Sequence, residues 1–442
     1  MNTHKNRKIV YLGLSADFIH HGHVNLISKA SEYGKVMVGL LTDEAIHGHK
    51  TIPLLTFAER KQVVLALKGV DFVVEQTEWD YSTNLEKHKP DYFIHGDNWE
   101  SEQEILIRNN CIKVLNTYGG EFIEVPYTKG INSGSGEHAW RMLSIPEIRS
   151  QSLKRILESN RKNGKITRVI ETHSAFSALI ASSVSYINGK EKKFFDAFWS
   201  SSLTDSTLLG KPDTESVDLS TRLRNVEFII SSTSRPIIFD GDTGGKAEHL
   251  ADNLKSMQRI GISCVVIEDK TGLKRNSLLG NDVIQNQLSI EEFSKKIKIS
   301  NAAKLSPGFL VIARIESLVL EKGMAQAIER AHEYVKAGAD GIFISSKQKT
   351  PEEIFEFCKE FRNLDQESFL FVVPSTYSQV YESELHNNGV DVVIYANHLL
   401  RASFPAMKKV SLSILENSRA AEAESEMLGI NEILDLIPDT RN

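Results

Sequence analysis

Eight short β-like runs recur between residues 165 and 442: ITRVIE, FFDAFWS, RPIIFDGD, ISCVVIED, FLVIARIE, GIFIS, FLFVVP and VDVVIYAN. Amphipathic helical segments, such as AEHLADNLKSMQRIG and MAQAIERAHEYVKAG, lie between most of them. Eight β/α units over roughly 270 residues is the arithmetic of a (β/α)₈ barrel of the TIM type. A doubly wound sheet is the competing architecture.

A smaller α/β pattern precedes it. KIVYLGL, KVMVGLL, VDFVVEQ, DYFIHG and EFIEVPY alternate with polar, helix-compatible stretches, the rhythm of an open parallel sheet. Between the two patterns stand GINSGSG and the charged, helix-forming SLKRILESNRKNGK. The expected organisation is a Rossmann-like domain over 1–137, a linker with a connecting helix over 138–164, and the barrel with C-terminal helices over 165–442.

The three cysteines, Cys111, Cys264 and Cys358, are widely spaced, which fits a reducing cytoplasm better than a disulfide framework. No apolar stretch approaches the length of a membrane span, so no membrane partner is expected. The formal net charge of −6 gives no electrostatic footprint for nucleic acid. Anionic ligands must therefore be held by local groups.

Such groups stand at the ends of the barrel's strand candidates. The third run ends in Asp240-Gly-Asp242-Thr-Gly-Gly, the fourth in Glu268-Asp269-Lys270, the fifth in Arg314-Ile-Glu316 and the eighth in Asn397-His398. In a barrel these ends converge on one face. Carboxylates and cations focused there are costly to desolvate without an ion to organise them. A hard divalent cation, Mg²⁺ for a phosphate-bearing substrate, resolves the conflict. Taken alone, DGDTGG also fits an ordinary turn with an N-capping aspartate.

The stretch from about Leu153 to Leu415 resembles phosphoenolpyruvate mutase of the isocitrate lyase superfamily. The resemblance is carried by WSSSL, DGDTGG, IARIES, ANHLLRAS and the signature EDK-x₃-K-x₂-S, here Glu268-Asp269-Lys270-Thr-Gly-Leu-Lys274-Arg-Asn276-Ser277. It implies Asp240 as direct metal ligand, with Asp242 and Glu268 acting through water. It implies Ser201 and Ser202 as binders of the substrate carboxylate through backbone N–H and hydroxyl groups, with Ser277 and Asn397 also at the substrate. Arg314 would pair with the phosphoryl group or carboxylate. Lys274 and Asn276 would ride on a closing loop, and Asp213, in LLGKPDTE, stands at the spacing of the gating aspartate.

The implied reaction moves a phosphoryl group from the enol oxygen of phosphoenolpyruvate to C3, giving phosphonopyruvate, a step of phosphonate biosynthesis. Two features depart from the family. Ser345 stands where the family has a histidine, and SYINGKEKK reads as an insertion between the first two strands. Phosphonopyruvate hydrolysis, or carbon–carbon cleavage by a related lyase barrel, is the alternative chemistry. The K-K-C-G-H segment of the cysteine-dependent lyases is absent. The resemblance also implies a homo-oligomer.

In the first pattern, an early strand leads into Asp17-Phe-Ile-His20-His21-Gly22-His23. H-x-G-H at a strand-to-helix transition sets two imidazoles at a helix N-terminus, which favours phosphate. With His47 and His49 nearby, a metal site is the other reading. Residues 8–135 resemble the cytidylyltransferase family that includes glycerol-3-phosphate cytidylyltransferase, through HHGH, Gly96-Asp97-Asn98-Trp99, TDE and Ala58-Glu59-Arg60-Lys61. The resemblance implies a CTP site with His20 and His23 on the phosphates, Lys50 and Arg60 as further phosphate ligands, and Asp97 at the nucleotide. The family's R-T-E-G-I-S-T-T stands here as Tyr127-Thr-Lys129-Gly-Ile-Asn-Ser133-Gly, without its arginine. The domain is thus expected either to transfer a cytidylyl group or only to bind nucleotide.

Overall fold

The structure, a computed structural model, describes residues 8–47, 49, 53–97, 99, 102–126, 145–188 and 191–436. The chain divides into two compact units, residues 1–163 and 164–442. The helix Pro146–Lys162, within the stretch read as linker and connecting helix, belongs to the first unit.

In the first unit five strands, β1 (Ile9–Leu14), β2 (Lys35–Leu41), β3 (Phe72–Gln76), β4 (Tyr92–Gly96) and β5 (Glu121–Val125), form one parallel sheet in the order β3-β2-β1-β4-β5. Side chains alternate across a strand, and both faces of β1 are covered. Val10, Leu12 and Leu14 pack with Ile27 and Val64 on one face, whereas Tyr11 packs with Phe93, Cys111 and Leu115 on the other. The strand order reverses between β1 and β4, and in such sheets ligands bind in the crevice outside the strand ends at that switch point. His20 and His23 follow β1, and Asp97 follows β4.

The second unit is a closed barrel of eight parallel strands. In chain order β6 (Thr167–Glu171) is followed by a hairpin, β7 (Tyr186–Asn188) and β8 (Glu191–Lys193), which accounts for the SYINGKEKK insertion. Then come β9 (Ala197–Ser200), β10 (Ile237–Asp240) and β11 (Cys264–Glu268). A second small ribbon, β12 (Lys270–Thr271) and β13 (Asn286–Gln287), forms the base of the loop that carries Lys274 and Asn276. The barrel continues with β14 (Leu310–Ile315), β15 (Gly341–Ile344), β16 (Phe369–Val372) and β17 (Val392–Tyr395), and β17 closes on β6. All eight runs read as strands are barrel strands.

The barrel is held by apolar residues on both sides of its wall. Outward residues such as Phe239, Val265 and Val311 pack against Leu254, Phe293 and Tyr334 of the surrounding helices. Gly241, between the two aspartates, lies so close to β11 that a Cβ there would stand 2.8 Å from Val265 Cγ2 and 2.9 Å from the Val266 carbonyl oxygen. Glycine lets the Asp-Gly-Asp turn lie against the neighbouring strand, which brings Asp240 and Asp242 to the same mouth as Glu268. Among the described residues no helix is long and apolar enough to cross a membrane.

Candidate active site and nucleotide site

Asp240, Asp242, Glu268, Arg314 and Asn397 stand at or just beyond the C-terminal ends of barrel strands and are buried or nearly so. Asp240 accepts hydrogen bonds from the Ser202 amide (3.2 Å) and hydroxyl (2.9 Å). Asp242 has a φ of 51°, unusual for a residue with a side chain, and its amide donates to Asp240 Oδ1 at 3.3 Å. One carboxylate oxygen of Asp242 meets Arg222 Nη1 at 3.1 Å and the other meets Lys274 Nζ at 2.7 Å.

Lys274 reaches back from its loop to bind the Ser202 hydroxyl (2.6 Å) and is ion-paired with Asp213. The Asn276 amide donates to the other Asp213 oxygen at 2.8 Å, while its own Oδ1 caps the 3₁₀ turn Ser277–Asp282. Asp213, Lys274 and Asn276, far apart in the chain, are thus one hydrogen-bonded group beside the carboxylates. They line the same cleft as Ser201, Ser202, Ser277, Arg314 and Asn397. Ser345, at the end of β15, also lines it.

Arg314 donates to Glu316 at 2.6 Å and to the Ser277 hydroxyl at 2.5 Å, and its guanidinium lies 5.1 Å from the Phe343 ring centre. One expected contact differs. The Ser202 N–H and hydroxyl, read as carboxylate binders, both point at Asp240, because a buried carboxylate requires donors. Ser201, at the N-cap of the same short helix, faces the cleft without that commitment.

The electrostatics separate the three carboxylates. Burial raises the Asp240 carboxyl, but Lys274, Arg314 and Arg222 outweigh it and hold it below the usual range. Asp242 is raised by burial and by Asp240, against the pull of Arg222 and Lys274. Burial pushes Glu268 up to about 8, with Lys270 and Arg314 opposing. Its Oε1 is buried without a hydrogen-bond partner. Lys274 is held above its ordinary value despite burial, because Asp242, Asp240 and Asp213 surround it.

Among the described residues no three histidine, cysteine or carboxylate side chains converge closely enough to ligate one ion directly. The all-oxygen donors and the orphaned Glu268 oxygen fit a hard divalent cation that keeps water between itself and some carboxylates. The sequence reading missed Arg222 and Asp205, 2.8 Å apart and both buried behind Asp240. Charged residues within amphipathic helices read as solvent-facing. Only the spacing of Arg222 with Val226 and Ile229 marks it as lying on the buried face.

In the first unit, His20 is the N-cap of the helix His21–Ser31. Its Nδ1 accepts from the Gly22 amide at 3.1 Å, and His23 Nδ1 accepts from the His20 amide at 3.4 Å. The two rings lie 4.0 Å apart. Because both Nδ1 atoms act as acceptors, the proton of each neutral ring belongs on Nε2, as a donor. Asp97 is exposed just after β4, its amide bonded to the Val125 carbonyl at 3.1 Å.

Arg60 does not fit the role of phosphate ligand. Its side chain is fully buried, ion-paired to Asp43 at 2.6 Å, with further bonds to the Leu55 carbonyl (3.2 Å) and the Ser15 carbonyl. It braces the end of β1 from behind, because a buried guanidinium needs acceptors for its donors. Lys50 and the stretch Tyr127–Ser133 lie outside the described residues.

Comparison with known proteins decides the family. The phosphoenolpyruvate phosphomutase family model matches residues 157–415. The chain belongs to that family. The cytidylyltransferase-like model matches residues 11–156, in agreement with the parallel sheet of the first unit. A phosphoenolpyruvate phosphomutase of Tetrahymena pyriformis is 33% identical over 297 residues, 65% of this chain and 95% of that protein. A phosphonopyruvate hydrolase of Variovorax sp. (strain Pal2) is 34% identical over 282 residues, 63% of this chain and 96% of that protein. Among solved structures, the phosphomutase from Streptomyces platensis subsp. rosaceus superimposes with a TM-score of 0.58 at 29% identity, covering 64% of this chain and 94% of its own. A phosphonopyruvate hydrolase in complex with oxalate and Mg²⁺ gives 0.58 at 32% identity, covering 66% and 96%. The relatives therefore include both phosphomutases and phosphonopyruvate hydrolases.

Proposed function

We propose that the barrel interconverts phosphoenolpyruvate and phosphonopyruvate with Mg²⁺, in phosphonate biosynthesis, and that the first domain transfers a cytidylyl group from CTP. The observation that carries the barrel reading is Asn276 in KRNS, hydrogen-bonded to Asp213 beside Lys274 at the edge of the cleft. In the isomerisation the bond from phosphorus to the enol oxygen breaks and one from phosphorus to C3 forms. The enol oxygen becomes the ketone oxygen, and no proton enters or leaves. The protein's task is to hold the PO₃ unit against the enolate and keep water out.

Arg314 presents a guanidinium to the anionic substrate, and Ser201 and Asn397 orient it. The group of Asp213, Lys274 and Asn276 closes the cleft against water. Asp240 would be the direct ligand of Mg²⁺, with Asp242 and Glu268 acting through water. The ion supplies positive charge against the enolate oxygen. The complex of a hydrolase relative with oxalate and Mg²⁺ supports a divalent cation in the barrel. Conversion of phosphonopyruvate should require a divalent cation, cease on chelation and return on readdition of Mg²⁺. Unchanged conversion in excess chelator contradicts the reading.

A pH dependence follows from Glu268. Its carboxyl is raised to about 8, so the ion-free site carries a proton at neutral pH that a cation must displace. Cation binding at pH 7 should release a proton and tighten as pH rises towards about 8, then level off. Calorimetry in two buffers of different ionisation enthalpy reads that proton, and identical heats would exclude it.

For the first domain, His20 and His23 would donate to the nucleotide phosphates at the helix N-terminus as pyrophosphate leaves. Union of the two domains in one chain supports a phosphonate acceptor. Exposed apolar residues of the helix His398–Asn417, among them Phe404, Met407 and Leu415, support a homo-oligomer. Three buried, unpaired cysteines support a cytoplasmic setting.

A further inference from the structure

We propose that Arg222 is a positioning residue for the cation-binding carboxylates, and that Asp205 neutralises it so that its charge does not repel the ion. The proposal rests on the metal reading above and concerns residues outside the family signature quoted earlier.

Arg222 lies in the first turn of the helix Leu219–Ser232, whose N-cap is Asp218. Its guanidinium reaches inward to three acceptors. Nε donates to Asp205 Oδ2 at 2.8 Å, and Nη1 donates to the Asp240 carbonyl at 2.7 Å and to Asp242 Oδ2 at 3.1 Å. It also lies over the Phe239 ring, 4.2 Å from the ring centre. One planar group therefore ties together the backbone at the end of β10, the Asp242 side chain and the helix Ser202–Leu208 that bears Asp205.

The contact with Asp242 matters because that residue holds a left-handed backbone. Such a conformation is strained for a residue with a side chain and persists only where its surroundings fix it. By taking Oδ2, Arg222 leaves Oδ1 to Lys274, which itself lines the cleft. Arg222 itself does not line the cleft, so it acts through the aspartates. A bare guanidinium here would oppose a divalent cation. Asp205 supplies the counter-charge on the far side and is held by Asn225 at 3.3 Å. Lysine cannot replace the fork, since a point ammonium cannot span the same acceptors.

The test is the affinity for Mn²⁺, read by electron paramagnetic resonance on the full chain without substrate, with thermal unfolding as the folding control. Arg222→Lys, Arg222→Gln and Asp205→Asn should each weaken Mn²⁺ binding by about tenfold or more, the usual effect of losing a partner that orients a metal ligand. At saturating Mg²⁺ the KM for the substrate should stay near wild type, since neither residue touches the cleft. Mn²⁺ affinity within about twofold of wild type in folded Arg222→Lys and Arg222→Gln overturns the proposal. Tighter binding in Arg222→Gln also overturns it, because Arg222 would then act only as a repelling charge. Arg222→Lys keeps the test decisive should Arg222→Gln fail to fold. Failure of the wild-type protein to bind Mn²⁺ at all would instead sink the metal reading, and this proposal with it.

Discussion

Lys274→Ala is expected to lower kcat for phosphonopyruvate conversion by about 10²–10³-fold at saturating Mg²⁺, the range for removing one charged stabiliser from a closed site. Lys274 is the cation that Asp213, Asp242 and, through Ser202, Asp240 share. Removing it withdraws charge from the reacting group and unties the loop from Asp213, admitting water. Lys274→Arg retains the charge with a different shape and should recover only part of the rate. Steady-state kinetics with circular dichroism as the folding control measure both. A folded Lys274→Ala enzyme within about tenfold of wild type would remove Lys274 from the chemistry.

The second large effect belongs to the other domain. His23→Ala should reduce release of pyrophosphate from CTP, with a phosphonate acceptor, by about 10²-fold or more. The barrel's rate should be unchanged. His23 also accepts the His20 amide in the cap, a role worth about 1 kcal/mol. His23→Asn keeps an acceptor there without an imidazole and should be equally inactive. Turnover in His23→Asn would assign His23 a capping role only. Absence of pyrophosphate release from the wild-type enzyme with every phosphonate acceptor would leave the domain as a nucleotide-binding module.

The barrel was legible because its strands are short apolar runs closed by polar residues. In IIFDGD and CVVIEDK the change from apolar to carboxylate marks where a wall strand leaves the core and reaches the mouth. The cluster of Asp213 with Lys274 and Asn276 came from resemblance, since nothing local in LLGKPDTE relates it to a loop some sixty residues on. Arg222, Asp205 and the burial of Arg60 were not legible. Each is a charge on a helix whose partner is set by tertiary packing, and a charged side chain on a helix reads as solvent-facing even where, as for Arg222, its spacing with Val226 and Ile229 points inward. Ser202 shows a subtler limit. Its donors, expected at the substrate carboxylate, go to Asp240, because the demand of a buried carboxylate is visible only once the strands are assembled.

The mechanism proposed for the barrel rearranges a phosphoryl group rather than releasing it to water. Phosphorus NMR of phosphonopyruvate incubated with the enzyme and Mg²⁺ tests it most directly. The phosphonate resonance should be replaced by that of phosphoenolpyruvate, with no inorganic phosphate above the enzyme-free control. Inorganic phosphate growing in step with pyruvate, and no phosphoenolpyruvate, would contradict it and make the barrel a hydrolase.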